Sequence, residues 1–259
     1  MKFAHIASIE KDVSRLGLGT VKIGRNQGVK YPKAFDLPSD NEVVTLLETA
    51  RDQGINLIDT APAYGLSEER LGKLMTHRDD WVICSKAGED FQNGESSHDF
   101  SGSAITASVE RSLRRLKTDR IDCLLLHSDG QDMEILNESG AVEALFALKE
   151  AGKVLSIGIS TKTIEGGLHA FELGMDIVMA TYNPWHTEEA PILEKAAELG
   201  RTVFVKKAFG SGWLGNQDDA KPMSPAETLQ FTLNHPCQPI IITGTINQKH
   251  LIDNCAAVD

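Results

Sequence analysis

The chain has 259 residues, of which 41% are hydrophobic and 24% are charged, as in an ordinary soluble globular domain. Its formal net charge is −11 at pH 7 and it has no long basic run, which argues against a nucleic-acid partner. No apolar run approaches the roughly 18 residues of a membrane span, and the N-terminus lacks an apolar signal segment. We therefore expect no membrane association and a cytoplasmic location.

The first predicted element is an N-terminal hairpin, because the segment KFAHIASIEKDV alternates apolar and polar residues. Eight short apolar runs then recur along the chain. Such runs are typical of strands in a parallel sheet that is buried on both faces. In chain order the runs are 14–20, 56–59, 81–86, 122–127, 155–160, 176–181, 202–208 and 239–244.

Eight helical patterns alternate with these strands. The pattern over 41–54 ends on Gly54, a natural C-cap, and the pattern over 67–75 opens with Ser67 as the predicted N-cap. The other patterns cover 103–117, 139–151, 163–173, 188–199, 224–234 and 247–257. This alternation predicts an α/β fold, a single (β/α)₈ TIM barrel over residues 1–259 with the N-terminal hairpin capping its bottom.

Ionisable side chains stand at the ends of three consecutive predicted strands. Asp59 ends the second strand, Lys86 the third and His127 the fourth, while Tyr64 lies in the loop after the second. The loops that follow the strands form the catalytic mouth of such barrels, so we expect these four side chains to converge. A buried Asp59–Lys86 pair could simply stabilise the rim, but such pairs add little net stability. The nearby tyrosine and histidine favour a functional site.

These residue types suit the reduction of a carbonyl group. A free tyrosine has a pKa near 10, and we expect the ammonium of Lys86 to lower the pKa of Tyr64. Asp59 would keep Lys86 charged and oriented, and His127 could donate a hydrogen bond to a carbonyl oxygen. If a cofactor supplies the hydride, no metal is needed.

Five segments resemble the aldo-keto reductase superfamily, and they occur in the family's order: GLGTVKIG, LIDTAPAYG, VICSKAG, LLLHSDG and IGIST. The resemblance covers essentially the whole chain and places the family's catalytic tetrad on Asp59, Tyr64, Lys86 and His127. It implies NAD(P)H-dependent reduction of aldehydes or ketones to alcohols without a metal. In that family the hydride adds to the carbonyl carbon while the tyrosine protonates the oxygen.

The resemblance also implies a cofactor site, although no G-x-G-x-x-G motif of a Rossmann fold is present. Thr161, Met179 and Lys206 stand where the family commonly has Asn, Gln and an aromatic residue. NADPH is the expected cofactor and NADH is possible, because Ile246 and His250 stand where the family commonly has a basic residue. A neutral histidine would bind a phosphate less strongly than an arginine. The implied cofactor-binding residues are Gly19, Thr20, Asp59, Ser160, Met179, Lys206, Gly210, Gly212, Thr245, His250 and Asn254.

The sequence leaves two other functions open. One is a nucleotide-binding sensor with little turnover, and the other is a Schiff-base lyase that uses a strand-end lysine. The candidate lysines for the lyase are Lys86, Lys206 and Lys207.

The substrate mouth is less well defined by the sequence. Its candidate lining residues are Phe91, Trp185, His186 and Trp213. Few residues follow Asn254, whereas the family often forms one wall of the pocket from a longer tail. We therefore expect an open pocket with broad specificity for small carbonyl compounds.

The four cysteines, at positions 84, 123, 237 and 255, form no CxxC pair. Reduced and mostly buried thiols are therefore expected, rather than a metal site or disulfides.

Overall fold

Eight parallel strands close into a barrel in the computed structural model, which describes residues 1–29, 31, 33–212 and 222–258. Each strand pairs with the next one along the chain, and the eighth pairs with the first. The predicted (β/α)₈ barrel is therefore confirmed. The strands are β1 (Leu16–Gly19), β2 (Leu57–Asp59), β3 (Val82–Ala87), β4 (Ile121–His127), β5 (Val154–Ser160), β6 (Ile177–Thr181), β7 (Thr202–Lys206) and β8 (Ile240–Thr243).

A long helix follows each strand and covers the outside of the barrel, in agreement with the eight predicted helical patterns. The apolar stripes of these helices and the outward faces of the strands form one continuous core. The helices are α1 (Asp40–Asp52), α2 (Ser67–Leu74), α3 (Gly102–Leu116), α4 (Ala141–Glu150), α5 (Ile164–Glu172), α6 (Ala190–Leu199), α7 (Pro225–Leu233) and α8 (Gln248–Val258).

The predicted N-terminal hairpin is present, with Phe3–Ile6 antiparallel to Lys11–Ser14. It closes the amino end of the barrel, because Ile6, Ile9 and Val13 belong to the same buried cluster as the residues that fill the barrel interior. Those interior residues are Leu57, Val82, Cys84, Cys123, Leu125, Ile177, Met179, Phe204 and Ile240. With the interior filled by side chains at this end, the carboxyl end is where a ligand can reach the strand-end residues.

The start of α2 differs from the prediction. Ser67 is the first helical residue and not the N-cap, which is Leu66 without a capping side chain. The hydroxyl of Ser67 instead donates a 2.7 Å hydrogen bond to Oγ1 of Thr20, which stands just past β1. This contact ties the helix after β2 to the loop after β1, at the carboxyl end of the barrel.

The carboxyl end carries three elements that the sequence patterns did not predict. They are a one-turn helix at Val21–Gly24, a helix at Asp132–Asn137, and a hairpin of Glu89–Gln92 and Glu95–His98. We call this last element the mouth hairpin. It follows β3 directly, so it extends the strand that bears Lys86 out over the mouth.

All four cysteines are free thiols; three are buried and Cys237 is half-buried, as expected. Within the described part of the chain, no helix is long and apolar enough to cross a membrane.

Candidate active site

Asp59 and Lys86 form a buried ion pair at the ends of β2 and β3. The Nζ of Lys86 donates to Oδ1 of Asp59 and, at 3.0 Å, to the carbonyl oxygen of Thr60. The two side chains are 1% and 4% exposed for Lys86 and Asp59, respectively. Burial alone would lower the pKa of Lys86, but the negative charge of Asp59 outweighs it and raises this pKa above its ordinary value. Lys86 is therefore a permanent cation at neutral pH.

Tyr64 reaches this pair from the short 3₁₀ turn at Pro62–Tyr64. Its hydroxyl donates a long, 3.4 Å hydrogen bond to Oδ2 of Asp59, and the Nζ of Lys86 lies 4.8 Å from the centre of its ring. A tightly packed glycine holds this turn in place: a Cβ on Gly24 would lie 1.8 Å from the carbonyl oxygen of Tyr64. Only glycine allows the one-turn helix after β1 to approach so closely.

The ionisation of Tyr64 differs from the expectation. Burial and the charge of Asp59 raise the pKa of Tyr64 above its ordinary value, and the opposing effect of Lys86 is smaller. The expected net lowering of this pKa is therefore wrong for the protein on its own, since the sequence could not weigh burial against one ammonium group. Tyr64 keeps its proton at neutral pH.

His127 ends β4 and faces Tyr64 edge-on, with 6.1 Å between the ring centres. Its Nδ1 lies 2.8 Å from Oε2 of Glu89 on the mouth hairpin. The contact is close, but it is not aligned as an ordinary hydrogen bond. Burial is the largest influence on His127 and lowers its pKa, while Glu89 acts in the opposite direction.

Lys206 enters the same mouth from the end of β7. Its Nζ donates to Oγ of Ser160 at 3.0 Å and to the carbonyl oxygen of Thr161 at 2.5 Å. Among the described residues, no carboxylate lies within 4.0 Å of this ammonium group. Because no carboxylate pairs with Lys206 in the described part of the chain, burial lowers the pKa of Lys206 to about 7.

These side chains line a cavity of about 350 Å³ at the carboxyl end of the barrel. The four predicted catalytic residues all line it, together with several predicted cofactor residues. The predicted residues in this lining are Gly19, Thr20, Asp59, Tyr64, Lys86, His127, Ser160, Met179, Lys206 and Gly212.

A second cavity, of about 630 Å³, leads from the mouth toward the start of α8. Thr245, His250 and Asn254 line it, as do Lys33 and Asp253. The two cavities adjoin, because they share the lining residues Lys22, Tyr31, Phe209, Gly212 and Gly244. The result is one elongated groove, with the predicted catalytic residues at one end and a histidine-containing pocket at the other.

Comparison with known proteins identifies the family of this chain. The profile described as "Aldo/keto reductase family" matches residues 15–230, which is most of the chain. The chain belongs to the aldo/keto reductase family.

Two solved structures illustrate the likeness. A Pseudomonas aeruginosa protein described as an aldo-keto reductase is 46% identical, with a TM-score of 0.87, over 99% of this chain and 93% of that one. The holo form of an aldo-keto reductase from Bacillus halodurans has a TM-score of 0.82 at 24% identity, over 100% of this chain and 91% of that one, and this likeness concerns the fold.

Curated relatives carry oxidoreductase names. Aldo-keto reductase YhdN from Bacillus subtilis is 35% identical over 80% of this chain, and the match spans only 59% of that protein's length. D-threo-aldose 1-dehydrogenase from a Pseudomonas species is 30% identical over 80% of this chain and 69% of that protein.

Other expected residues of this aldo-keto reductase site lie elsewhere. Gly210 lines neither of the two cavities, although it is two residues from Gly212 in the same loop. Phe91 packs under Arg25, with the guanidinium 4.0 Å from the ring centre, and His186 is exposed. Neither they nor Trp185 line the cavity of about 350 Å³, so their place at the substrate mouth stays a prediction. Trp213 lies outside the described residues.

Sequence reasoning missed Glu89, which contacts His127. It also missed Lys22 and Lys162, two lysines that line the cavity. One signal could have found Glu89. The motif VICSKAGED places an acidic residue three positions after the strand-end Lys86, at the mouth, where a charged side chain has a catalytic residue within reach.

Proposed function

We propose that this protein reduces aldehydes or ketones to alcohols with NAD(P)H, and that Tyr64 is the general acid. One observation carries the proposal: Tyr64, Lys86, Asp59 and His127 meet in one cavity at the carboxyl end of the barrel. Membership of the family and the oxidoreductase names of its relatives support it.

Each residue has a distinct task in this mechanism. Tyr64 holds a proton at neutral pH, because its pKa is raised, and gives it to the carbonyl oxygen as negative charge develops there. Lys86 stays charged beside the phenol and stabilises the phenolate that remains. Asp59 keeps Lys86 in place through the buried ion pair. His127, on the other side of Tyr64, donates a hydrogen bond to the same oxygen.

The adjoining cavities fit a dinucleotide. Their combined length runs from the catalytic residues to Thr245, His250 and Asn254, and their walls carry Lys22 and Lys33, which suit phosphate groups. When bound, the nicotinamide cofactor supplies the hydride. NADPH is the preferred form in this proposal, with Ser160, Met179 and Lys206 near the nicotinamide end and His250 near the adenosine phosphate.

Two measurements on the purified protein test this proposal. Fluorescence titration with NADPH and NADH measures binding, and oxidation of NADPH with a panel of aliphatic and aromatic aldehydes measures turnover. Turnover that Tyr64→Phe abolishes is the expected result. Tight cofactor binding without turnover of any carbonyl compound would favour the sensor function instead.

The position of Lys206 favours a second candidate function, a Schiff-base reaction. An amine with a pKa of about 7 is partly neutral at physiological pH, so its lone pair can attack a carbonyl carbon and release water. Lys86 is unsuited to this role, since Asp59 keeps it protonated. Borohydride reduction in the presence of an aldehyde, followed by mass spectrometry, would locate the adduct on Lys206, and Lys206→Met would serve as its control.

A further inference from the structure

The mouth hairpin holds a carboxylate against the catalytic histidine. Oε1 of Glu89 accepts a 2.7 Å hydrogen bond from the hydroxyl of Ser96 on the hairpin's second strand. Oε2 of Glu89 lies 2.8 Å from Nδ1 of His127, and the two side chains are 13% and 20% exposed for Glu89 and His127. Both carboxylate oxygens are therefore engaged, one within the hairpin and one by the ring of His127.

The carboxylate of Glu89 is ionised, so it has no proton to donate and acts only as a hydrogen-bond acceptor. Burial acts to raise the pKa of Glu89, but the contact with His127 outweighs it and holds this pKa at about 2. An unprotonated Nδ1 would place a nitrogen lone pair 2.8 Å from a negatively charged oxygen, which is repulsive. The ring of His127 must therefore carry a proton on Nδ1 whether it is neutral or charged.

This constraint decides what the other ring nitrogen can do. Among the described residues, Glu89 is the only ion-pair partner of the His127 ring, which also lines the cavity. A neutral ring with its proton on Nδ1 has a bare Nε2, which accepts hydrogen bonds. Donation from Nε2 to a carbonyl oxygen then requires a second proton on the ring.

We propose that Glu89 is a positioning residue that fixes the proton of neutral His127 on Nδ1, so that His127 donates to the substrate oxygen only as an imidazolium. The second half of this statement rests on the proposed function. The first half is a property of the protein alone and is tested without cofactor or substrate.

The charges that surround His127 set the pH range of this requirement. Glu89 is the anion on the mouth hairpin; Lys86 on β3 and Lys206 on β7 are the nearby cations, and both lower the pKa of His127. Lys162, after β5, lines the same cavity, and the phenol of Tyr64 faces the ring. Because burial is the largest effect and lowers this pKa, the imidazolium is lost as the pH rises through a value below the usual one for histidine.

Nitrogen-detected NMR of the histidine rings in the cofactor-free protein tests the first half. His127→Asn identifies the signals of His127. In the unsubstituted protein we expect the neutral ring to carry its proton on Nδ1. In Glu89→Gln and Glu89→Ala we expect a lower pKa for His127 and a shift of the neutral ring toward the form protonated on Nε2.

Glu95→Gln is the matched control, because Glu95 lies on the second strand of the same hairpin and is exposed. It should leave both the pKa and the tautomer of His127 unchanged. A proton on Nε2 in the unsubstituted protein would overturn the proposal. So would an unchanged His127 in both Glu89 variants.

The pH dependence of kcat tests the second half. Above the pKa of His127, kcat of the unsubstituted protein should fall by about tenfold per pH unit, as the imidazolium disappears. Glu89→Gln should lower kcat by about tenfold at acidic pH, by analogy with other partners of functional histidines, and should show a shallower fall at alkaline pH. The shallower fall is expected because its neutral ring can present a proton on Nε2.

Parallel pH profiles for the unsubstituted protein and Glu89→Gln would overturn the requirement for an imidazolium. If the NMR result is as expected and no carbonyl compound is turned over, the proposed function fails. The assignment of Glu89 as the group that positions the His127 proton would still be supported.

Discussion

Two lysines project into the same cavity from opposite sides of the barrel, and they differ in their partners. Lys86 on β3 contacts the carboxylate of Asp59, whereas Lys206 on β7 contacts a hydroxyl and a carbonyl oxygen. The pKa of Lys86 is accordingly raised and that of Lys206 is lowered to about 7, although Lys86 is the more deeply buried of the two and Lys206 is half-buried. A counter-ion, more than depth, decides whether a buried lysine stays charged.

This difference divides the cavity into a side with a fixed charge and a side whose charge can change near neutral pH. The fixed side, with Asp59, Lys86 and Tyr64, suits proton transfer to a substrate. The other side carries Lys206, whose ammonium contacts the hydroxyl of Ser160. Four predictions test this division, from the largest expected effect to the smallest.

Tyr64→Phe should lower kcat for aldehyde reduction by roughly 10²-fold or more, because the substitution removes the proposed general acid. Cofactor affinity, measured by fluorescence titration, should change by only a few-fold, since the cofactor cavities extend over other strands. Full activity in the Phe variant would place the chemistry elsewhere, most directly on the Lys206 side.

Lys86→Met should leave Asp59 as a buried charge without its ammonium partner. We expect the free energy of unfolding to fall by roughly 3 kcal/mol, together with most of the activity. The matched control is Lys206→Met, which strands no carboxylate and should be destabilised much less. Denaturant unfolding at pH 7 compares the two, and equal losses would show that the counter-ion is not the decisive difference.

Lys206 should make stability depend on pH where Lys86 does not. A lysine whose pKa is lowered in the folded state binds fewer protons there than in the unfolded chain between about pH 7 and 10. Its burial therefore opposes folding at low pH, and stability should rise as the pH increases across this range. Chemical unfolding of the unsubstituted protein and of Lys206→Met at several pH values measures the difference. A constant difference would contradict the titration of Lys206.

His250→Arg should increase the preference for NADPH over NADH by about tenfold, because a guanidinium binds a phosphate through two charge-assisted hydrogen bonds. The unsubstituted protein should show a modest preference for NADPH. Lys249 is a poor substitute for the arginine, since its ammonium is paired with Asp253 at 2.7 Å. Dissociation constants for both cofactors give the ratio, and an unchanged ratio would mean that His250 does not face the phosphate.

The barrel and the meeting of Asp59, Tyr64, Lys86 and His127 in one cavity could be predicted because they follow from short-range features. Strands buried on both faces give unmistakable apolar runs, and an ionisable residue at the end of such a run can point only to the mouth. The contact between Asp59 and Lys86 then follows from the pairing of neighbouring strands, in which Asp59 lies opposite Cys84.

Other features depend on contacts between residues that are distant in the sequence, or on opposing electrostatic effects, and no local sequence pattern predicts them. The mouth hairpin is largely exposed, so it lacks the apolar alternation that predicts a strand, and Glu89 was missed with it. Ser67 has the right residue type for an N-cap, but its hydroxyl bonds to Thr20 from 47 residues away. The pKa of Tyr64 results from burial and two opposing charges, and its direction required the folded geometry.

The hairpin at the amino end also has a consequence for the order of folding. It precedes every barrel strand in the chain, yet its contacts reach far along it: Ser8 bonds to Ser156, and Ile6 shares a buried cluster with Ile240. A local hairpin forms within microseconds, but loops of this length close slowly and only when their distant partners exist. During synthesis the N-terminal hairpin is made before every barrel strand, and it cannot dock until nearly the whole barrel has emerged. Its docking should therefore be among the last steps to complete the native state.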